Sequence, residues 1–69
     1  MSPLLLRQLW SVIDAAHSSH ILSLDDQSLV NWVIEQLCYQ SPLDNAELSQ
    51  VNRYIQSKVS LIRDLAQNQ

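Results

Sequence analysis

The sequence contains no glycine, and its only prolines are Pro3 and Pro42. Tight β-hairpin turns depend on glycine or Asn-Gly pairs, so a β architecture would have almost no suitable turn residues. The glycine-rich loops that bind phosphates in P-loop and dinucleotide-binding proteins are excluded for the same reason. An all-α fold is therefore the expectation, and the helical period of the apolar residues favours it.

Cysteine is also scarce, because Cys38 is the only one. It cannot form an intramolecular disulfide, and its position between Leu37 and Tyr39 predicts a core thiol in a reducing compartment. The 69 residues are expected to form a single domain, residues 1–69. So small a core supplies little stability without a disulfide, a metal or a partner subunit. We therefore expect self-association as a homodimer.

Basic residues are few, with four Lys and Arg against seven Asp and Glu and a formal net charge of −3. This balance argues against nucleic-acid binding, in which many cations neutralise phosphates. No apolar run approaches the roughly 20 residues of a membrane span. Residues 1–7 begin like a signal peptide but lack basic first residues and a nearby small-residue cleavage site. We expect no membrane association and a cytoplasmic location.

Three stretches of helical periodicity define the expected fold. They cover about residues 3–16, 24–39 and 43–66, and the His-Ser-Ser-His segment 17–20 is expected to be a connection. Ser41-Pro42 separates the second and third helices, since the residue before proline is disfavoured in the α conformation. The sequence thus predicts an all-α, three-helix protomer that completes a helical bundle by homodimerisation.

Helix starts are marked by acidic and hydroxyl residues. The second helix has two possible N-caps, either Ser23 in a capping box with Asp26, or Asp25. Asp44 and Glu47 have capping-box spacing at the start of the third helix. These carboxylates are therefore explained as caps, without a catalytic role.

Apolar residues at helical spacing are the candidate core. On the second helix they are Leu29, Val30, Val33, Ile34 and Leu37, and on the third Leu48, Val51, Ile55, Val59, Ile62 and Ala66. Such stripes are typical of helices that bury one face.

Candidate chemistry is sparse. His17 and His20 could share one side of a helical turn, but zinc needs three or four ligands and Cys38 is the only soft third. A nucleophilic cysteine needs an exposed, electropositive environment, whereas the neighbours of Cys38 are apolar. We therefore predict no catalytic residues, no metal site, no cofactor and no enzymatic activity.

Aromatic and surplus apolar residues are the remaining functional signal. Tryptophan and tyrosine are enriched at buried interfaces because each combines a large apolar body with one polar tip. Trp32 lies off the main apolar face of its helix, whereas Trp10 fits a core or an interface equally well. The interface candidates are Leu6, Trp10, Trp32, Tyr39, Tyr54, Leu61 and Leu65. They predict a non-enzymatic protein-interaction or adaptor module that binds itself and another protein.

An alternative function is a small regulator that contacts nucleic acid through the third helix. Its candidate residues are Arg53, Lys58 and Arg63. A recognition helix needs only a few base contacts. At helical spacing, however, these three cations do not form one basic stripe.

Two segments carry a resemblance to a protein family. Residues 53–66 read Arg-Tyr-Ile-x-x-Lys-x-x-Leu-Ile-Arg-Asp-Leu-Ala, and residues 9–13 read Leu-Trp-Ser-Val-Ile. Together they resemble small cyanobacterial all-helical proteins of unknown function. The resemblance implies an all-α fold in a cyanobacterial cytoplasm, and it carries over no catalytic or binding residues.

Overall fold

The computed structural model describes residues 1–68 and contains four helices over that range. Helix α1 spans Pro3–Ala15, α2 Ser18–Ser23, α3 Asp26–Gln40 and α4 Asn45–Gln67. The all-α expectation is confirmed. The expected count of three helices is wrong, because α2 occupies most of the segment predicted to connect the first two.

Helix α2 forms where the sequence offers neither a helix breaker nor a strong start signal. His17 is its N-cap residue but makes no side-chain capping bond. The helix buries Ile21, and the hydroxyl of Ser23 donates to the backbone carbonyl of His20 at 2.8 Å. Its six residues are too few to be stable alone in water. Hydrogen bonds from Arg63 of α4 to the carbonyls of Ile21 and Leu24 hold it in place.

Side-chain caps start the other three helices. Ser2 Oγ accepts a 3.1 Å hydrogen bond from the backbone of Leu5 in α1. Asp25 Oδ1 accepts a 2.7 Å hydrogen bond from the backbone of Ser28. Of the two predicted alternatives, Asp25 and not Ser23 is therefore the N-cap of α3.

The predicted capping box of α4 is confirmed. The backbone of Glu47 donates to the Asp44 carboxylate at 2.7 Å, and the backbone of Asp44 donates to the Glu47 carboxylate at 3.2 Å. Helix α3 ends at Gln40, and the extended backbone of its C-cap residue Ser41 (φ −159°) fits the position before Pro42.

The hydrophobic core contains residues from all four helices. Its buried members are Leu5, Leu9, Val12, Ile13, Ile21, Leu29, Val30, Val33, Leu37, Val51, Ile55, Val59, Ile62 and Ala66. Helix α1 packs on α3, and both α2 and α3 pack on α4. A single chain therefore encloses this core, so any self-association uses surface outside it.

Three apolar positions differ from the predicted core. Cys38 is exposed, and Ile34 and Leu48 are only partly buried. Cys38 follows the buried Leu37 by one residue, about 100° around the helix, which turns its thiol towards solvent. The expectation of a core thiol is therefore wrong.

Helix directions follow from contacts between distant residues. Trp10 of α1 meets Tyr54 in the first half of α4, whereas Ile21 of α2 meets Arg63 in the second half. Helix α1 therefore runs beside α4 in the same direction. Helix α3 starts beside Arg63, at Asp26, and returns antiparallel to α4.

Candidate interaction surfaces

An aromatic pair bridges α1 and α4. The indole nitrogen of Trp10 donates a 3.0 Å hydrogen bond to the hydroxyl of Tyr54. Their rings meet edge to face, with centroids 6.3 Å apart and planes at 87°. Both side chains are partly buried against the core. The polar tip of Trp10 is thus satisfied inside the chain, while part of its ring reaches the surface.

Apolar side chains continue from this pair along one side of α4. Tyr54, Leu61 and Leu65 are seven and four residues apart, which places them on the same side of a helix. Leu61 and Leu65 are 45% and 42% exposed. We call these three residues the α4 strip.

Residues beside the α4 strip extend it on two sides. Leu6 lies one helical turn before Trp10 on the same side of α1, and it is partly buried. The ammonium of Lys58 lies 5.8 Å from the centre of the Tyr54 ring, within the range of a cation–π contact. Five predicted interface residues are thus brought to the α1–α4 side: Leu6, Trp10, Tyr54, Leu61 and Leu65.

The other two candidates lie elsewhere, on α3. Trp32 borders a shallow groove between α1 and α3, next to Ser11 and Ala15. The imidazole of His20 covers the Trp32 ring, with centroids 5.1 Å apart and an interplanar angle of 67°. Trp32 is therefore partly buried by α2.

Tyr39 is the most exposed of the predicted interface residues, at 76%. Its hydroxyl donates to the Glu35 carboxylate at 3.3 Å, a contact within α3. Trp32 and Tyr39 are seven residues apart and share one side of α3. We call this pair the α3 surface.

The three cations of the nucleic-acid alternative have different environments. Arg63 is partly buried and donates to the carbonyls of Ile21 and Leu24 and to the Asp26 carboxylate. Lys58 lies over an aromatic ring, and Arg53 is exposed. The fold therefore does not unite them in one basic patch.

The contact of Arg63 with the end of α2 could not be predicted from the sequence. Its carbonyl partners are 42 and 39 residues away, and no local pattern marks an arginine that will bind a distant helix end. Leu4 and Leu22, at 63% and 40% exposure, were also not among the predicted interface residues. Both are leucines at the margins of apolar stripes, where the helical period alone does not decide burial.

Outside these surfaces, the N-cap carboxylate of Asp25 has a pKa that its neighbours shift. The backbone and hydroxyl of Ser28, followed by the positive charge of Arg63, lower the pKa of Asp25 below its usual value, and partial desolvation opposes them. Within residues 1–68, no group of three or more His, Cys, Asp and Glu side chains is arranged to hold a metal ion. Over the same residues, no helix is both long and apolar enough to cross a membrane.

Comparisons with known proteins give no relative. No family model matches the chain, and no curated protein or solved structure matches it either. The proposed function therefore rests on the α4 strip and the α3 surface.

Proposed function

We propose that the protein is a non-enzymatic interaction module that associates with itself and binds a second protein. The observation that carries this proposal is the α4 strip, with two leucines more than 40% exposed beside the half-buried Tyr54. Scattered exposed apolar residues are ordinary, whereas contiguous ones on one helix side are typical of protein interfaces.

The proposed association is weak because the surface is small. Each half-exposed leucine contributes on the order of 1 kcal/mol when it is covered. Association also costs about 4–15 kcal/mol of lost rotational and translational freedom. The leucines alone offset little of this cost, so we propose a weak and transient dimer, as is typical of small interfaces.

Sedimentation equilibrium over a concentration series tests the self-association. The proposal predicts a mass that rises from 7.9 kDa towards twice that value. Leu61→Ser should lower the association, whereas Leu22→Ser should not, although Leu22 on α2 is 40% exposed and thus comparable to Leu61 at 45%. A clean monomer at roughly 10 μM and above would contradict self-association.

The second protein is proposed to bind the α3 surface. Tyr39 is a large, exposed aromatic residue, and such residues are frequent anchors in protein interfaces. The test compares proteins captured by immobilised wild-type chain and by Tyr39→Ala, with the exposed Cys38→Ala as matched control. A partner retained equally by all three would contradict the α3 surface as its site.

The resemblance to cyanobacterial proteins leads us to place this module in a cyanobacterial cytoplasm. The nucleic-acid alternative has less support, because Arg63 is engaged by α2 and Lys58 lies over Tyr54. It predicts a salt-sensitive shift of duplex DNA. The absence of any shift in low salt would remove it.

A further inference from the structure

We infer that the second copy in the homodimer docks on the α4 strip, with two α4 helices antiparallel across a twofold axis level with Val59. This inference rests on the self-association proposed above. It adds the surface, the relative direction of the helices and their register.

The α4 strip flanks the buried face of α4, about 100° around the helix from it. Val59 and Ile62 are buried on the inner side of α4, whereas Leu61 and Leu65 are exposed. At about 100° per residue, Tyr54, Leu61 and Leu65 lie within roughly 40° of one another around the helix. They form a narrow apolar seam of the kind by which two helices pack.

Two opposite charges border this seam on the same flank. Arg53 and Asp64 are eleven residues apart, about three helical turns, so they point within roughly 20° of each other. Both are exposed, and neither belongs to an ion pair within residues 1–68. Unlike Arg63, which pairs with Asp26, they are available to a second molecule.

Antiparallel pairing brings these charges together. A twofold axis perpendicular to two helices places the same flank of each against the other. With the axis level with Val59, Arg53 of one copy lies beside Asp64 of the second copy. Symmetry makes this contact twice.

The same register pairs the apolar residues. Tyr54 of one copy lies beside Leu65 of the second, again twice, and Leu61 lies beside the small Ser57. A parallel twofold pair would instead bring opposite flanks of the two helices together, so Arg53 would not meet Asp64 of the second copy. Antiparallel α4 helices also align their dipoles favourably. The two Arg53–Asp64 contacts and the apolar matching therefore favour the antiparallel arrangement.

Charge reversal tests the register without touching the core. Arg53→Asp places two aspartates together at each contact, and Asp64→Arg places two arginines together. Each variant alone should raise the dimer dissociation constant about tenfold or more. Arg7→Asp and Asp14→Arg make the same charge changes at exposed sites on α1 and serve as controls.

Mixing the two single variants gives the sharpest readout. A heterodimer of Arg53→Asp with Asp64→Arg has opposite charges at both contacts, so the mixture should associate as tightly as the wild type. The double variant Arg53→Asp/Asp64→Arg should also self-associate like the wild type. Circular dichroism confirms that each variant keeps its helices.

The possible outcomes distinguish the α4 arrangement from self-association itself. If the wild type dimerises and neither Arg53→Asp nor Asp64→Arg weakens the dimer, the α4 arrangement is overturned while self-association stands. Single reversals that weaken the dimer without rescue in the mixture would also overturn the pairing. A wild-type chain that remains monomeric would remove both the self-association and its register.

Discussion

The guanidinium of Arg63 donates a 2.8 Å hydrogen bond to the backbone carbonyl of Leu24, 39 residues earlier in the chain. The same group donates to the carbonyl of Ile21 at 3.3 Å and to the Asp26 carboxylate at 2.8 Å. Leu24 is the C-cap residue of α2. One partly buried side chain on α4 therefore satisfies two carbonyls at the end of a six-residue helix and ties it to the start of α3.

Replacing Arg63 should release α2. Arg63→Ala should lower the free energy of unfolding by about 2 kcal/mol, because hydrogen bonds to a charged group are worth about 1.5–3 kcal/mol and the freed carbonyls are partly rehydrated. Arg63→Lys should recover only part of this loss, since an ammonium cannot span all three acceptors. Urea unfolding measures both values. Arg7→Ala, at an exposed site, should change stability by less than about 0.5 kcal/mol, and an equal loss there would contradict the assignment.

The Trp10–Tyr54 hydrogen bond should be separable from the packing of the two rings. Tyr54→Phe keeps the ring and removes the acceptor, so we expect a loss of about 0.5–1.5 kcal/mol. A double-mutant cycle with Trp10→Phe isolates the coupling between the two side chains. Tyr39→Phe is the matched control because its hydroxyl bond to Glu35 is exposed. Zero coupling in the cycle would show that the contact does not stabilise the fold.

Local chemistry explains what could be predicted from the sequence. The capping box of Asp44 and Glu47 is closed by residues three positions apart, and it forms as predicted. The buried positions of α4, such as Val51 and Ile55, follow the helical period of a single stripe. Such features depend on neighbours within one turn or two, so the linear sequence contains them.

Features that depend on distant residues could not be predicted. Helix α2 is fixed by Arg63 on α4, and no local signal near Ser18 or Ser23 distinguishes a short helix from a turn. The cover of Trp32 by His20 arises only because α2 folds beside α3. For the same reason, the seven candidate interface residues divide into two surfaces, which helical spacing alone does not separate.

The position of α2 should be visible in the fluorescence of Trp32. In a Trp10→Phe background Trp32 is the only tryptophan, and the imidazole of His20 covers its ring. His20→Ala should expose the ring and raise its acrylamide quenching constant, with a red shift of emission. His17→Ala is the control, since His17 contributes no side-chain capping bond to α2. An unchanged quenching constant in His20→Ala would contradict the contact.

Acid should weaken the start of α3 through Asp25. Its carboxylate accepts the 2.7 Å bond from the backbone of Ser28, and this bond lowers the pKa of Asp25 in the folded chain. Because the unfolded chain then binds the proton more readily, the contribution is fully present above the ordinary aspartate value of about 3.9 and is lost as pH falls through the lower native value. Asparagine and serine are also good N-caps but do not titrate. Asp25→Asn and Asp25→Ser should therefore keep most of the stability at neutral pH and show a shallower decline in urea-unfolding free energy below about pH 4. A decline as steep as that of the wild type in both variants would place the acid sensitivity at another carboxylate.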